Sequence, residues 1–137
     1  MVDSTNLPEV DINAIATDLN NKMDRDGVNA SCPTLLSRTA NSNGGVTEIW
    51  SDGYCVQTGI TETVNMGTAI TVTFPQPYKD TTYNVGYEAT LVSTDDPYFK
   101  SECGSFTTSS FVITNRRYSG SSIDTLYYRW RTEGYIR

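Results

Sequence analysis

From Gly45 onward, apolar and polar residues alternate in short runs separated by glycines, prolines and small polar residues, the pattern of half-buried β-strands. Thr47 to Ser51 and Tyr54 to Ile60 flank Ser51, Asp52 and Gly53, which predicts a hairpin. In its second strand Tyr54, Val56 and Thr58 share one face, and Cys55 and Gln57 the other. Ile70, Val72 and Phe74 alternate with Thr71 and Thr73, and Pro75 and Pro77 predict the end of that strand. From Thr82 to Val92, Tyr83, Val85, Tyr87, Ala89 and Leu91 alternate with Asn84, Gly86, Glu88 and Thr90. Phe111 to Tyr135 reads as a final hairpin. Phe111 and Ile113 oppose Val112 and Thr114, while Leu126, Tyr128 and Trp130 oppose Tyr127, Arg129 and Arg131. The link from Tyr118 to Ser122 is small, polar and Gly-containing. One face of this hairpin is expected to pack and the other to be free to bind. Antiparallel strands joined by short turns predict a β-sandwich.

The first 45 residues differ. Ile12, Ile15, Leu19 and Met23 form one narrow apolar stripe of helical spacing, with Asp11 as N-cap and Gly27 as stop, so a helix is expected from about Ile12 to Arg25. Such a short helix is marginal alone, and its stripe needs a partner. That partner is either the chain's own sheet or the same stripe in other copies, where isoleucine at successive seam positions favours assemblies above the dimer. Val28 to Gly45 has no period and reads as a linker. The expected division is therefore residues 1–45, helix and linker, and residues 46–137, the sandwich.

Charge changes the picture at the C-terminal end. Before Cys103 there are five basic and fourteen acidic residues; from Cys103 onward there are five arginines against Asp124 and Glu133. The net charge of −6 argues against nucleic acid as a partner. Arg116, Arg117, Arg129 and Arg131 either meet anionic groups on a partner or pair with carboxylates on neighbouring strands. The absence of histidine removes Ser-His-Asp and Cys-His catalysis and every His-containing metal site. Three widely spaced cysteines, Cys32, Cys55 and Cys103, are expected as free thiols. The start has no signal-peptide pattern and no apolar run is long enough for a membrane span, so synthesis in a cytoplasm and no membrane insertion are expected.

The stretch 93–104 does not alternate and reads as a loop, where binding surfaces concentrate. Asp95, Asp96, Tyr98, Phe99 and Lys100 are its candidate binding residues; Tyr98 and Phe99 either both point outward or one of them folds back to cover a sheet edge. Arg116, Arg117 and Tyr118 form a second candidate patch. Asp95 and Asp96 fall far short of the oxygen count of a calcium site, and no metal or cofactor is expected.

Three motifs carry a family resemblance: Asp52 to Gly59, then Ile70 to Tyr78 running into Thr82–Val85, then Phe111–Thr114 with Trp130 and the terminal Gly134-Tyr135. Together they resemble the C-terminal domain of tailed-bacteriophage tail fibres, over about residues 46 to 137. The helix before them is similar to stem segments that precede such tips. The resemblance implies a mainly β chain, an antiparallel β-sandwich after a short N-terminal α-helix, assembled as a homotrimer at a fibre tip on the virion. It further implies that exposed loops bind a bacterial surface receptor, a polysaccharide or an outer-membrane protein. Two other functions are weighed: a structural cap that closes a trimeric fibre, and a polysaccharide-cleaving enzyme. The enzyme needs two carboxylates facing each other across a groove, and no spacing among Glu88, Asp95, Asp96 and Glu102 singles out a pair. A non-enzymatic adhesin is the expectation.

Overall fold

The computed structural model describes residues 13–15, 17, 32–93, 98–119 and 124–137. Two compact units divide the chain, residues 1–33 and 34–137. In the first, Asn13, Ala14, Ile15 and Thr17 are helical, and the Thr17 hydroxyl donates to the Asn13 carbonyl at 2.9 Å. Ile12, Leu19 and Met23 of the expected stripe lie outside the described residues.

The second unit is built from antiparallel strands: β1 (Leu35–Ala40), β2 (Val46–Trp50), β3 (Tyr54–Ile60), β4 (Val64–Asn65), β5 (Ala69–Thr73), β6 (Asn84–Ser93), β7 (Tyr98–Gly104), β8 (Ser110–Ser119) and β9 (Thr125–Tyr135). One sheet runs β1-β2-β3-β9, with β4 following β3 along the same side of β9 and β6 on its other side; the second runs β5-β8-β7. The inward residues of both sheets meet in one core, with Phe111 and Ile113 of β8 and Leu126, Tyr128 and Trp130 of β9 all buried. This is the expected mainly β sandwich.

The β2–β3 hairpin forms where the alternation and the turn residues place it. Gly53 takes φ +86°, Gly53 N donates to Trp50 O at 2.9 Å, and Asp52 accepts from Tyr54 N at 2.9 Å. After β5 the two prolines release the chain to cross between the sheets. The crossing is held by Gln57, which is fully buried: its amide accepts from Gln76 N at 2.9 Å and donates to Gln76 O at 2.8 Å. On it Tyr78 and Tyr83 stack at 4.8 Å, and Phe74 sets its edge against both while also touching Phe111 and Trp130. Gly134 lies beneath them, where a Cβ would come within 2.8 Å of Tyr83 Cβ. Phe74, Tyr78, Tyr83, Phe111 and Trp130 of the motif pattern thus meet in one aromatic cluster.

Three expectations are corrected. Phe111 to Tyr135 is not a hairpin: β8 pairs with β5 and β7, and β9 pairs with β3, β4 and β6. Each strand has a strongly apolar face, and packing these faces against each other across the sandwich buries both. The stretch 93–104 is not wholly a loop, because Tyr98–Gly104 is a strand. Its inward positions are Phe99, Ser101 and Cys103, of which Ser and Cys do not read as apolar. Within the expected linker, Leu35–Ala40 is a strand at the sheet edge; all six residues are exposed, so no alternation marks it.

Candidate functional site

The register fixes two ends of the sandwich. Tyr135 at the end of β9 lies opposite Tyr54, and Thr125 at its start lies opposite Ser93. The chain enters this unit at the Tyr135 end: Ser51 N donates to Thr34 O at 2.8 Å, and Thr34 N donates to Ser51 Oγ at 2.9 Å. The end of β6, the start of β7, the end of β8 and the start of β9 all lie at the other end, roughly 30 Å away for a strand of this length.

At that far end β7 and β8 bring together the two candidate patches. Lys100 lies opposite Arg116, Phe99 opposite Arg117, and Tyr98 opposite Ser119. Tyr98 and Tyr118 are 70% and 61% exposed, with ring centroids 5.8 Å apart. Phe99 points the other way and packs against the core, so of the two aromatics it is the one that folds back. Arg117 is half-buried on that same inward side, whereas Arg116 is exposed beside Lys100. Asp95 and Asp96 lie outside the described residues.

The electrostatics of this face are unbalanced. Two cations directly opposite on paired strands repel each other. Glu102, two residues along the strand, offsets part of this through a 2.5 Å contact with Lys100. That hydrogen bond raises the Lys100 pKa, and the same bond, helped by Arg116, holds Glu102 below the usual carboxylate range. Among the described residues of this face, Lys100 and Arg116 against Glu102 leave one positive charge beside two exposed phenol rings. Such a surface suits a ligand with an anionic group and a flat apolar or sugar face.

The outer face of the other sheet is different. Arg131 is paired with Glu133 at 3.2 Å, Glu88 sits opposite Arg129, and a hydrogen bond from Arg129 lowers the Tyr127 pKa. Here Arg131 takes a carboxylate of its own sheet, and Arg129 bonds the Tyr127 phenol. Glu88 and Glu102 lie on different sheets and make no pair across a groove. Among the described residues no group of three or more His, Cys, Asp or Glu is disposed to hold a metal, and no helix is long and apolar enough to cross a membrane.

The sequence treats Tyr98 and Tyr118 as members of separate patches. A signal for their union is the period-two order of Tyr98, Lys100 and Glu102, the outward side of a strand.

No protein-family model matches the chain, and no curated protein matches it significantly. Solved structures do. An N-truncated R1-type pyocin tail fibre superposes with a TM-score of 0.59 at 18% identity, covering 94% of this chain and 100% of that one. The C-terminal part of the R1 pyocin fibre of P. aeruginosa gives 0.57 at 20% identity, covering 81% of this chain and 30% of the other. The corresponding part of the R2 pyocin fibre of P. aeruginosa gives 0.50 at 20% identity, covering 72% of this chain and 26% of the other. At these identities the likeness is one of fold, and the chain has the C-terminal domain fold of pyocin tail fibres, a tail-fibre architecture of the kind its motifs resemble.

Proposed function

We propose that this chain is the receptor-binding tip of a tail fibre, on a phage or a phage-derived pyocin particle, and that it binds a bacterial surface receptor without cleaving it. The observation that carries this reading is the position of the Tyr98–Tyr118 pair with Lys100 and Arg116: an exposed aromatic and cationic surface at the end of the sandwich farthest from where the chain enters. A fibre that delivers its polypeptide to one end presents the opposite end to the cell. The shared fold with pyocin fibres supports the reading as a tail-fibre domain. The receptor is a surface polysaccharide or an outer-membrane protein bearing an anionic group. The tip is a homotrimer, with Ile12, Ile15, Leu19 and Met23 as a stem seam; Ile15 is 56% exposed in the single chain. Three copies then multiply weak contacts into useful avidity.

The test is retention of the fluorescently labelled chain on a panel of bacterial isolates, with competition by purified surface polysaccharide and by outer-membrane protein. Saturable retention on some isolates, displaced by one competitor, supports the reading. Uniform absence of retention on every isolate would reject it, and release of reducing ends from the polysaccharide would favour the enzyme.

A further inference from the structure

Edge strands expose unpaired amides and carbonyls, and proteins blunt them with charge, proline or a cover. Among the described residues five strands pair on one side only: β1, the two-residue β4, β5, β6 and β7. Charge lies on three of them, as Arg38 on β1, Glu88 on β6, and Lys100 with Glu102 on β7. Strand β5, Ala69–Thr73, has the sequence AITVT, with no charge, proline or glycine and high β-propensity.

Its free edge is ready to pair. Phe74 N donates to Ser109 O at 2.8 Å, which sets the phase of the ladder: Ile70 and Val72 exchange bonds with β8. The amides and carbonyls of Ala69, Thr71 and Thr73 therefore point away from β8. They face an open cleft of about 420 Å³ between the sheets, walled by Ile60, Val64, Ile70 and Trp130 and by the polar Asn43 and Thr61. Among the described residues Glu62 is the one ionisable side chain on its lining.

We propose that the β5 edge and this cleft receive strand β1 of a second copy of the chain. β1 is complementary in three respects. All six of its residues are exposed; its Leu35 and Leu36, 40% and 59% exposed, match the apolar part of the wall; and its only charge is Arg38, against Glu62 on the cleft. Arg38 contacts Glu48 at 3.3 Å yet its side chain remains 63% exposed, with guanidinium donors to spare. A β1-to-β5 contact joins unlike surfaces, so it repeats from copy to copy and ends only by closing a ring. The added strand completes the second sheet by main-chain pairing. The inference rests on the association of copies put forward above and supplies the contact on which that association depends, since the short helix of the stem seam is marginal alone.

The test uses the full chain, the exposed-site variant Leu36→Asp and the edge variant Thr71→Pro. Thr71 N–H has no role in the protomer's own ladder, so proline there removes only the outward donor. Light scattering is expected to give an assembled wild type, and both variants at the 15.2 kDa of one copy with unchanged circular dichroism. In the assembled wild type, the Thr71 and Thr73 amides exchange about tenfold or more slowly relative to Leu36→Asp. If Thr71→Pro unfolds, Leu36→Asp and the exchange rates decide. An assembled wild type whose variants both stay assembled overturns the β5 contact and leaves assembly standing. Dissociation by Thr71→Pro alone overturns β1 as the occupant. A wild type that runs as one copy overturns both this contact and the trimer, and protected β5 amides in that single copy would assign the cleft to the chain's own N-terminal segment.

Discussion

Two tyrosine pairs mark the two ends of the sandwich, and they are used in opposite ways. At the entry end Tyr54 and Tyr135 meet edge to face at 5.5 Å, with the Lys79 ammonium 5.5 Å above the Tyr135 ring. Main-chain bonds lock the surroundings: Lys79 N to Tyr135 O at 2.9 Å and Ile136 N to Gly53 O at 3.0 Å. Burial, and then the hydrogen bond with Glu133, raises the Tyr54 pKa. At the far end Tyr98 and Tyr118 keep most of their surface in water, on strands of which β7 begins and β8 ends there. Each pair is a contact of two rings. The first ties the chain's last strand into the sheet, whereas the second leaves its aromatic surface available. Substitution separates these roles, because a structural ring costs stability and a binding ring costs adhesion.

The largest loss is expected deepest in the locked half. Phe74 touches Tyr78, Tyr83, Phe111 and Trp130, so Phe74→Ala should lower the unfolding free energy by about 3–5 kcal/mol, read from urea denaturation. A loss within about 0.5 kcal/mol would mean that the aromatic cluster does not hold the crossing between the sheets.

The faces that build this cluster were legible in the sequence from alternation, cleanest around Trp130 between Arg129 and Arg131 and at Ile70, Val72 and Phe74 between threonines. The prolines at 75 and 77 marked the end of β5, and the Asp52-Gly53 turn marked the first hairpin. Strand β7 was hidden because Ser101 and Cys103 occupy its inward positions, and β1 because an edge strand with every residue exposed has no buried face to signal. The partners of β8 and β9 were not legible either, since alternation identifies a strand's faces and says nothing of which sheet it joins. For the site, Tyr98, Tyr118, Lys100 and Arg116 were each singled out, but their union needed the β7–β8 register.

Alkali probes the same locked half. Burial pushes the Tyr78 phenol up to about 12 from its ordinary 10, while the hydroxyl donates to Thr132 Oγ1 at 2.9 Å. The unfolded chain gives up this proton first, so the stabilisation is complete below about pH 10 and falls as pH rises from 10 toward 12. Tyr78→Phe should flatten this part of the stability profile; an unchanged slope would assign the alkaline loss to other groups.

Smaller effects separate the two ends. Tyr135→Ala should cost about 1 kcal/mol, the scale of an aromatic pair, and leave the far end intact. Tyr98→Ala with Tyr118→Ala should stay within about 0.5 kcal/mol of wild type, because both side chains are already in water. A larger loss there would make the far-end pair structural. Thiol labelling gives a further contrast: burial raises the Cys55 pKa to about 11, so at neutral pH in the folded chain Cys55 should resist a thiolate-selective reagent that takes exposed Cys32. Equal rates would place Cys55 outside the core.

The most direct measurement is retention on susceptible bacteria of two folded double variants, Tyr98→Ala with Tyr118→Ala and Tyr54→Ala with Tyr135→Ala, compared at equal oligomeric mass. The far-end variant is expected to lose retention by about tenfold or more, the size of a hot-spot contact of at least about 1.4 kcal/mol, while the entry-end variant retains it. Full retention by the far-end variant would contradict the placement of the receptor surface at Tyr98 and Tyr118.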